Sequence, residues 1–232
     1  VIEEIVPVAV ATAEAFTDPP DAFLYPQERA AVARAVDRRR REFATARLCA
    51  RQALETLGLP PVPIVPDSSG APQWPTGVVG SMTHCEGYRA AALARSTDIS
   101  TIGIDAEPDR PLPDGVLEAI ALAQERDRIY ELELSSKELC WDRLLFCAKE
   151  AVFKAWYPLT RRPLKFEDAV VEIDPTANTF RARLVVPGPV VAGRQVNSLL
   201  GRWLAAHGRI VTSIILLPNS GQLRDRGAGE RS

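Results

Sequence analysis

Three features of the sequence predict an α+β protein. Two long stretches, 26–57 and 141–157, carry apolar residues at helical spacing. Short β-rich runs with tight-turn signals between them predict antiparallel strands. Each half of the chain offers one such helix with its own small set of strands, which predicts two similar lobes with the site between them. The expected division is 1–101 for an N-terminal lobe and 102–218 for a C-terminal lobe. The polar, glycine-containing stretch 219–232 is expected to be a disordered tail.

The elements follow in order. Ile5-Val6-Pro7-Val8-Ala9-Val10 predicts an edge strand, because proline cannot donate to a central ladder. Pro26, followed by Gln27 and Glu28, opens a helix that Gly58 and Pro60-Pro61 close, with one break expected near Arg38-Arg39-Arg40-Arg41. Residues 60–75, rich in Pro, Gly and Ser, predict a loop. Stretches 78–83 and 88–94 predict a hairpin with His84 near its tip. Thr101-Ile102-Gly103-Ile104-Asp105-Ala106-Glu107 predicts a buried strand, and a proline-broken link at 108–113 leads to helix over 114–134. In the helix at 141–157, Trp141, Leu144, Leu145, Ala148, Val152 and Ala155 form the apolar stripe. Strands are expected at 164–166, 170–173 and 179–186, then a hairpin of 203–206 and 210–217 about His207-Gly208.

Composition narrows the function. A net charge of −2 argues against a general nucleic-acid binder. No apolar run approaches the ~20 residues of a membrane span, and no signal-peptide pattern opens the chain, so a cytoplasmic protein is expected. Four cysteines without a C-x-x-C pair predict reduced, structural thiols. With only His84 and His207, a histidine-rich zinc site is excluded, and no G-x-S-x-G elbow accompanies a candidate Ser-His-Asp triad.

Chemistry concentrates in two places. Asp105 and Glu107, at i and i+2 of the buried strand, leave it on one face. Glu150 and Lys154, four apart on the helix, project side by side. Three acidic oxygen donors with a basic neighbour are the ingredients of a Mg²⁺ site that handles phosphate. An exposed Glu150–Lys154 salt bridge, worth only ~0.3–0.5 kcal/mol, would leave the two carboxylates on an apolar strand unexplained. Arg40, Arg47 and Arg51, seven and four apart, share one helical stripe beside Phe43, Ala46, Ala50 and Leu54. That stripe reads either as a solvated basic face or as a phosphate-binding one, and spacing alone leaves both open. His84, beside the Thr83 hydroxyl, reads either as a structural histidine or as part of a polar ligand site.

Four motifs in order carry a resemblance. Gly70-Ala71-Pro72-Gln73-Trp74-Pro75, Gly80-Ser81-Met82-Thr83-His84, Gly103-Ile104-Asp105-Ala106-Glu107 and Phe146-Cys147-Ala148-Lys149-Glu150-Ala151-Val152-Phe153-Lys154 resemble the signatures of 4′-phosphopantetheinyl transferases. The version is the large, monomeric class of the surfactin and enterobactin activating enzymes, and the resemblance covers about residues 40–164. It implies a pseudo-dimeric fold binding coenzyme A and Mg²⁺, or Mn²⁺ in its place, between the lobes. It implies transfer of the phosphopantetheine arm to a serine of an acyl or peptidyl carrier protein, with release of adenosine 3′,5′-bisphosphate. By the same resemblance Asp105, Glu107 and Glu150 hold the metal, Glu150 and Lys154 serve the chemistry, and Asp105, Lys149 and Lys154 belong to the coenzyme A contacts. Thr83, His84 and Arg47, with Arg40 and Arg51, correspond to groups near the 3′-phosphate, and Gly70, Ala71 and Pro72 to the turn against adenine. Ala71 departs from the family pattern, which often has Lys or Arg there.

Two other classes compete. A Mg²⁺-dependent phosphohydrolase would use the same carboxylates with water as nucleophile. A coenzyme A-binding scaffold would bind through the basic stripe and transfer nothing.

Overall fold

The computed structural model describes residues 1–218. The chain is α+β, with helices packed on antiparallel sheets. Strands β1 (Ala11–Ala15), β2 (Val78–Cys85) and β3 (Tyr88–Arg95) make a three-stranded sheet in the order β1-β3-β2. Strands β4 (Thr101–Pro108), β5 (Ala169–Asp174), β6 (Thr179–Leu184), β9 (Ser198–Ala206) and β10 (Arg209–Leu216) make a five-stranded sheet, β4-β10-β9-β6-β5. A two-residue pair, β7 (Val190–Val191) and β8 (Arg194–Gln195), stands apart.

Helices α1 (Pro26–Ala31) and α2 (Asp37–Thr56) precede the first hairpin, and α3 (Val116–Ile120), α4 (Ala123–Ser135) and α5 (Trp141–Thr160) follow β4. Helix α2 buries Cys49, Ala50, Ala53 and Leu54 against Ala91 and Leu93 of β3. Small residues on both sides let helix and strand approach closely. Helix α5 buries Leu144, Leu145, Ala148, Ala151, Val152 and Trp156 in a core with Phe180, Ala182, Leu199, Trp203 and Ile214 of the larger sheet. A third cluster joins alternate residues of β3 and β4, among them Ala90, Ala92, Ile102, Ile104 and Ala106, to Ile2 and Ile5.

Two contacts fix the seam between the sheets. Ser81 Oγ and Thr83 Oγ1 of β2 accept hydrogen bonds from the backbone amides of Ile104 (3.1 Å) and Ala106 (3.0 Å) of β4. On the other side of β4, a Cβ at Gly103 would overlap the Ala151 carbonyl and approach the Ala155 amide to 2.7 Å, so α5 lies directly on the strand backbone. Thr101 Oγ1 donates to the Ala155 carbonyl (2.9 Å) and ties the same two elements.

Several elements differ from expectation. Residues 5–10 are no strand. Ile2–Ile5 form a 3₁₀ turn whose Ile2 and Ile5, three apart, both enter the core. Val10 N–H then bonds Pro7 O (2.9 Å) in a turn that leaves Val8 fully exposed. The edge strand is instead Ala11–Ala15. The helix break precedes the arginine run, between α1 and α2, and Arg40 holds it by donating to Val32 O (3.3 Å) and Ala33 O (2.9 Å). Residues 164–166 form no strand, because Lys165 and Asp168 cap a 3₁₀ turn there. The expected helix over 114–134 is divided at 121–122, where Glu125 accepts from the Leu122 amide (2.8 Å) and starts α4 afresh. Strand β9 begins at Ser198, well before the expected 203. The expected hairpin about His207-Gly208 forms, with His207 at φ 53. All four cysteines are unpaired. The expected tail at 219–232 lies outside the described residues. Among the described residues no helix is long and apolar enough to cross a membrane.

Candidate active site

A cavity of about 590 Å³ opens between α2 and α5. Its walls are α2 (Arg39, Glu42, Phe43, Arg47), the stretch 69–74, strand β2 through His84, and α5 (Glu150, Phe153, Lys154, Tyr157). One wall is basic and the opposite wall carries the acid–base pair of the helix.

Alternation along β4 puts Ile102, Ile104 and Ala106 into the core and leaves Asp105 facing α5. Lys154 Nζ donates to Asp105 Oδ1 at 2.6 Å, and Thr83 Oγ1 donates to the same oxygen at 3.1 Å. Asp105 Oδ2 is buried without a hydrogen-bond partner. Burial opposes the Lys154 charge, but the adjacent Asp105 carboxylate outweighs it and holds the ammonium above its ordinary range.

The other two acids respond to Asp105. Burial and then Asp105 raise Glu150, with Lys154 opposing. Burial and then Asp105 push Glu107 up to about 7, against the pull of Arg143. Arg143 Nη1 donates to Glu107 Oε2 at 3.0 Å, and the same guanidinium is anchored on the carbonyls of Arg110 and Pro111. Among the described residues no three His, Cys, Asp or Glu side chains gather into a complete metal-holding set. The donors nevertheless suit Mg²⁺. They are oxygens, one of them is buried and unsatisfied, and Mg²⁺ takes few carboxylates and fills its octahedron with phosphate oxygens and water.

The basic stripe divides. Arg47 is buried on the cavity wall, its Nε donating to Ile64 O (3.1 Å) and its guanidinium over the Phe43 ring. Burial lowers its hold on its proton, with Arg39 and Arg51 adding to the effect and Glu28 opposing it, so an anion in the cavity would relieve a standing penalty. Arg51 is spent elsewhere. It pairs with Glu28 (3.2 Å) and donates to Phe23 O (2.7 Å), which fastens α1 and its approach to α2. Arg40 is turned to the α1–α2 break and to Asp37 (3.5 Å). Neither Arg40 nor Arg51 reaches the cavity wall. Lys149 is likewise absent from it. Its ammonium is buried on another side of α5, paired with Glu125 (2.9 Å) and donating to Phe166 O and Ala169 O.

His84 lines the cavity within hydrogen-bonding reach of Arg39. Burial and then Arg39, Lys154, Arg89 and Arg47 lower it to about 4, so the ring is neutral and its Nε2 accepts from the guanidinium. Gly70, Ala71 and Pro72 line the far end, with Gly70 at φ 84 making the turn.

The comparisons decide the family. A model of the 4′-phosphopantetheinyl transferase N-terminal domain matches residues 27–94, and a model of the 4′-phosphopantetheinyl transferase superfamily matches 101–195. The chain is 52% identical to 4′-phosphopantetheinyl transferase Svp of Streptomyces mobaraensis, over 100% of this chain and 96% of the relative. The chain belongs to the 4′-phosphopantetheinyl transferases. It is also 47% identical to the transferase PptT of Mycobacterium tuberculosis, over 89% of this chain and 92% of that one. With the transferase Npt of Nocardia iowensis it shares 48% identity, over 92% and 98%.

In this transferase the structure adds residues that sequence reasoning passed over. Arg39 joins Phe43 and Arg47 on the cavity wall, and it is the cavity lining rather than helical spacing that makes Arg39, not Arg40, the partner of Arg47. Glu42 lies on the same wall with Arg38, Arg39, Arg89 and His84 all within 3.8 Å. Arg143 steers Glu107, and Asp67 ties the 67–71 turn to α5. No local pattern marks the long-range contacts of Glu42, Arg143 or Asp67, whose other partners lie on the same helix for Glu42 and within the 67–71 turn for Asp67.

Proposed function

We propose that the transferase works in the cavity between α2 and α5, with coenzyme A as donor and a serine of an acyl or peptidyl carrier protein as acceptor. The observation that carries this is the buried, donorless Oδ2 of Asp105, whose carboxylate pairs with the Lys154 ammonium of the basic-walled cavity and is felt electrostatically by Glu107 and Glu150. A bare carboxylate oxygen in that position is costly unless a cation completes it.

Asp105, Glu107 and Glu150 would hold Mg²⁺, or Mn²⁺, and bound there the ion would neutralise the diphosphate and orient the leaving group. Lys154 supplies fixed positive charge for the pyrophosphate. The serine Oγ attacks the phosphorus that carries the pantetheine arm, and the bond from that phosphorus to the bridging oxygen breaks. The serine proton passes to the Glu150 carboxylate, which burial and the nearby Asp105 make a stronger proton acceptor than an ordinary carboxylate. Adenosine 3′,5′-bisphosphate leaves. Arg39, Arg47 and neutral His84 with Thr83 face the 3′-phosphate, and Gly70, Ala71 and Pro72 lie along adenine. Arg40, Arg51 and Lys149 act in folding rather than on substrate.

The same reading divides the chain into two lobes, 1–101 and 102–218. The interval between the two family matches, at 94 and 101, and the two separate sheets support it. A monomer suffices because one chain supplies both cavity walls. A cytoplasmic setting agrees with four unpaired thiols.

The test is mass spectrometry of an apo carrier protein incubated with coenzyme A, Mg²⁺ and the native chain, Asp105→Ala or Glu150→Ala. The native chain should add one phosphopantetheine arm and each variant should lose the reaction. Full modification by either variant would remove that residue from the mechanism. Release of adenosine 3′,5′-bisphosphate without a carrier protein would mark a hydrolase instead.

A further inference from the structure

The stretch 66–73 is held in shape by its own backbone. Asp67 N–H bonds Ala71 O (2.8 Å), Gly70 N–H bonds Asp67 O (3.0 Å), and Gln73 N–H bonds Val65 O (2.9 Å). The Asp67 side chain then uses its two oxygens on different partners. Oδ1 accepts from the amides of Ser69 (2.8 Å) and Ala71 (3.0 Å), inside the turn. Oδ2 accepts from Arg161 Nη1 (3.0 Å) and Tyr157 Oη (3.4 Å), on the last turns of α5. Arg161, in the left-handed conformation at φ 53, ends that helix and also lies over the Tyr157 ring.

These partners sit at the rim of the cavity, whose lining includes Gly70, Ala71 and Pro72 on one side and Tyr157 and Arg161 on the other. Lys154 is one helical turn before Tyr157, and Glu150 one turn before that. One helix therefore carries both Glu150 and Lys154 and the anchor of the nucleotide turn.

From this we infer that Asp67 is a positioning residue, which clasps the nucleotide-binding turn to the end of α5 and sets the distance between the adenine end and the transfer end of coenzyme A. The inference rests on the reading of the cavity as the coenzyme A site. Asp67 itself touches neither reacting atom. The clasp matters more here because Ala71 offers no cation of its own, so the turn must be placed by contacts to the protein rather than to the substrate.

Asp67→Asn separates the two oxygens, since an amide oxygen still accepts from Ser69 and Ala71 while the charge facing Arg161 is lost. With Arg161 largely exposed, the KM for coenzyme A should rise about threefold. The kcat and the KM for the carrier protein should be unchanged. Asp67→Ala, which also frees the turn, should raise the KM about tenfold or more. Arg161→Gln should match Asp67→Asn, and the pair combined should add nothing further. A donor truncated to the pantetheine diphosphate, without the nucleoside, should be used equally by native and Asp67→Asn chains. Equal loss with the truncated donor, or a fall in kcat that matches the rise in KM, would reduce Asp67 to a general structural part and overturn the inference. Calorimetry of the native chain with coenzyme A separates the two levels. No binding at all sinks the site itself, whereas native binding matched by Asp67→Asn sinks the clasp alone.

Discussion

The ammonium of Lys154 stands 2.6 Å from Asp105 Oδ1, and the other oxygen of that carboxylate has no donor. Half of the carboxylate is thus satisfied by the protein and half is left for something else. Lys154→Met should expose the imbalance. Breaking a buried pair costs about 3–5 kcal/mol, and with Lys154 about a quarter exposed, roughly 2 kcal/mol is expected, a fall of about 4–8 °C in Tm. Adding Asp105→Asn should recover much of that Tm without recovering transfer. A double variant that melts as low as Lys154→Met would show that the pair does not carry the stability.

Glu107 gives a pH dependence with a defined sign. Its folded-state value of about 7 lies above the ordinary 4.5, so the folded chain holds this proton more tightly than the unfolded one. The stabilisation is fully present below about pH 4.5 and is lost as the pH rises through about 7, amounting to roughly 3 kcal/mol at most. Without divalent cation, Glu107→Gln should therefore melt higher than the native chain at about pH 8 and alike at about pH 4.5. Added Mg²⁺ should raise the native Tm at the higher pH and do little at the lower. A Mg²⁺ effect that is the same at both ends would detach Glu107 from the metal.

The basic wall should read one phosphate. Arg47→Ala and Arg39→Ala should each raise the KM for coenzyme A about 10–100-fold, the range of a charge-assisted hydrogen bond. With dephospho-coenzyme A the same variants should differ little from the native chain. Parallel losses on the two donors would place both arginines away from the 3′-phosphate. Arg40→Ala serves as the control, with neither KM changed.

Lys149 carries the opposite expectation from its neighbour in the motif. Its pair with Glu125 is almost wholly buried, and Glu125 also accepts from the Val171 amide, so Lys149→Met strands a carboxylate in the core. A loss of about 3 kcal/mol, on the order of 10 °C in Tm, should appear in thermal melts, while kcat of the folded fraction stays native. A large fall in kcat at unchanged Tm would return Lys149 to the chemistry.

How much of this was legible follows from where each signal is stored. Alternation in β4 and the stripe of α5 are contiguous patterns, so Asp105, Glu107, Glu150 and Lys154 could be assigned faces from spacing alone. Lys149 and Lys154 are five apart, about 140° around a helix, and that angle already separates them. Strand Ala11–Ala15 escaped because alanines lack strand propensity and are extended only by pairing with β3. The valines at 6, 8 and 10 misled for the converse reason. Arg39 was hidden inside a run of four arginines, and only its distance to His84 sets it apart. The partners of Asp67, Arg143 and Glu125 lie 94, 36 and 24 residues away, beyond any local pattern.

Gly103 has a practical consequence for anyone who would retrain this enzyme. Strand and helix touch there with room for a hydrogen and nothing more. Variant libraries aimed at new donors should therefore leave positions 103, 151 and 155 untouched, since any added side-chain atom there would push the catalytic helix off the strand that carries Asp105.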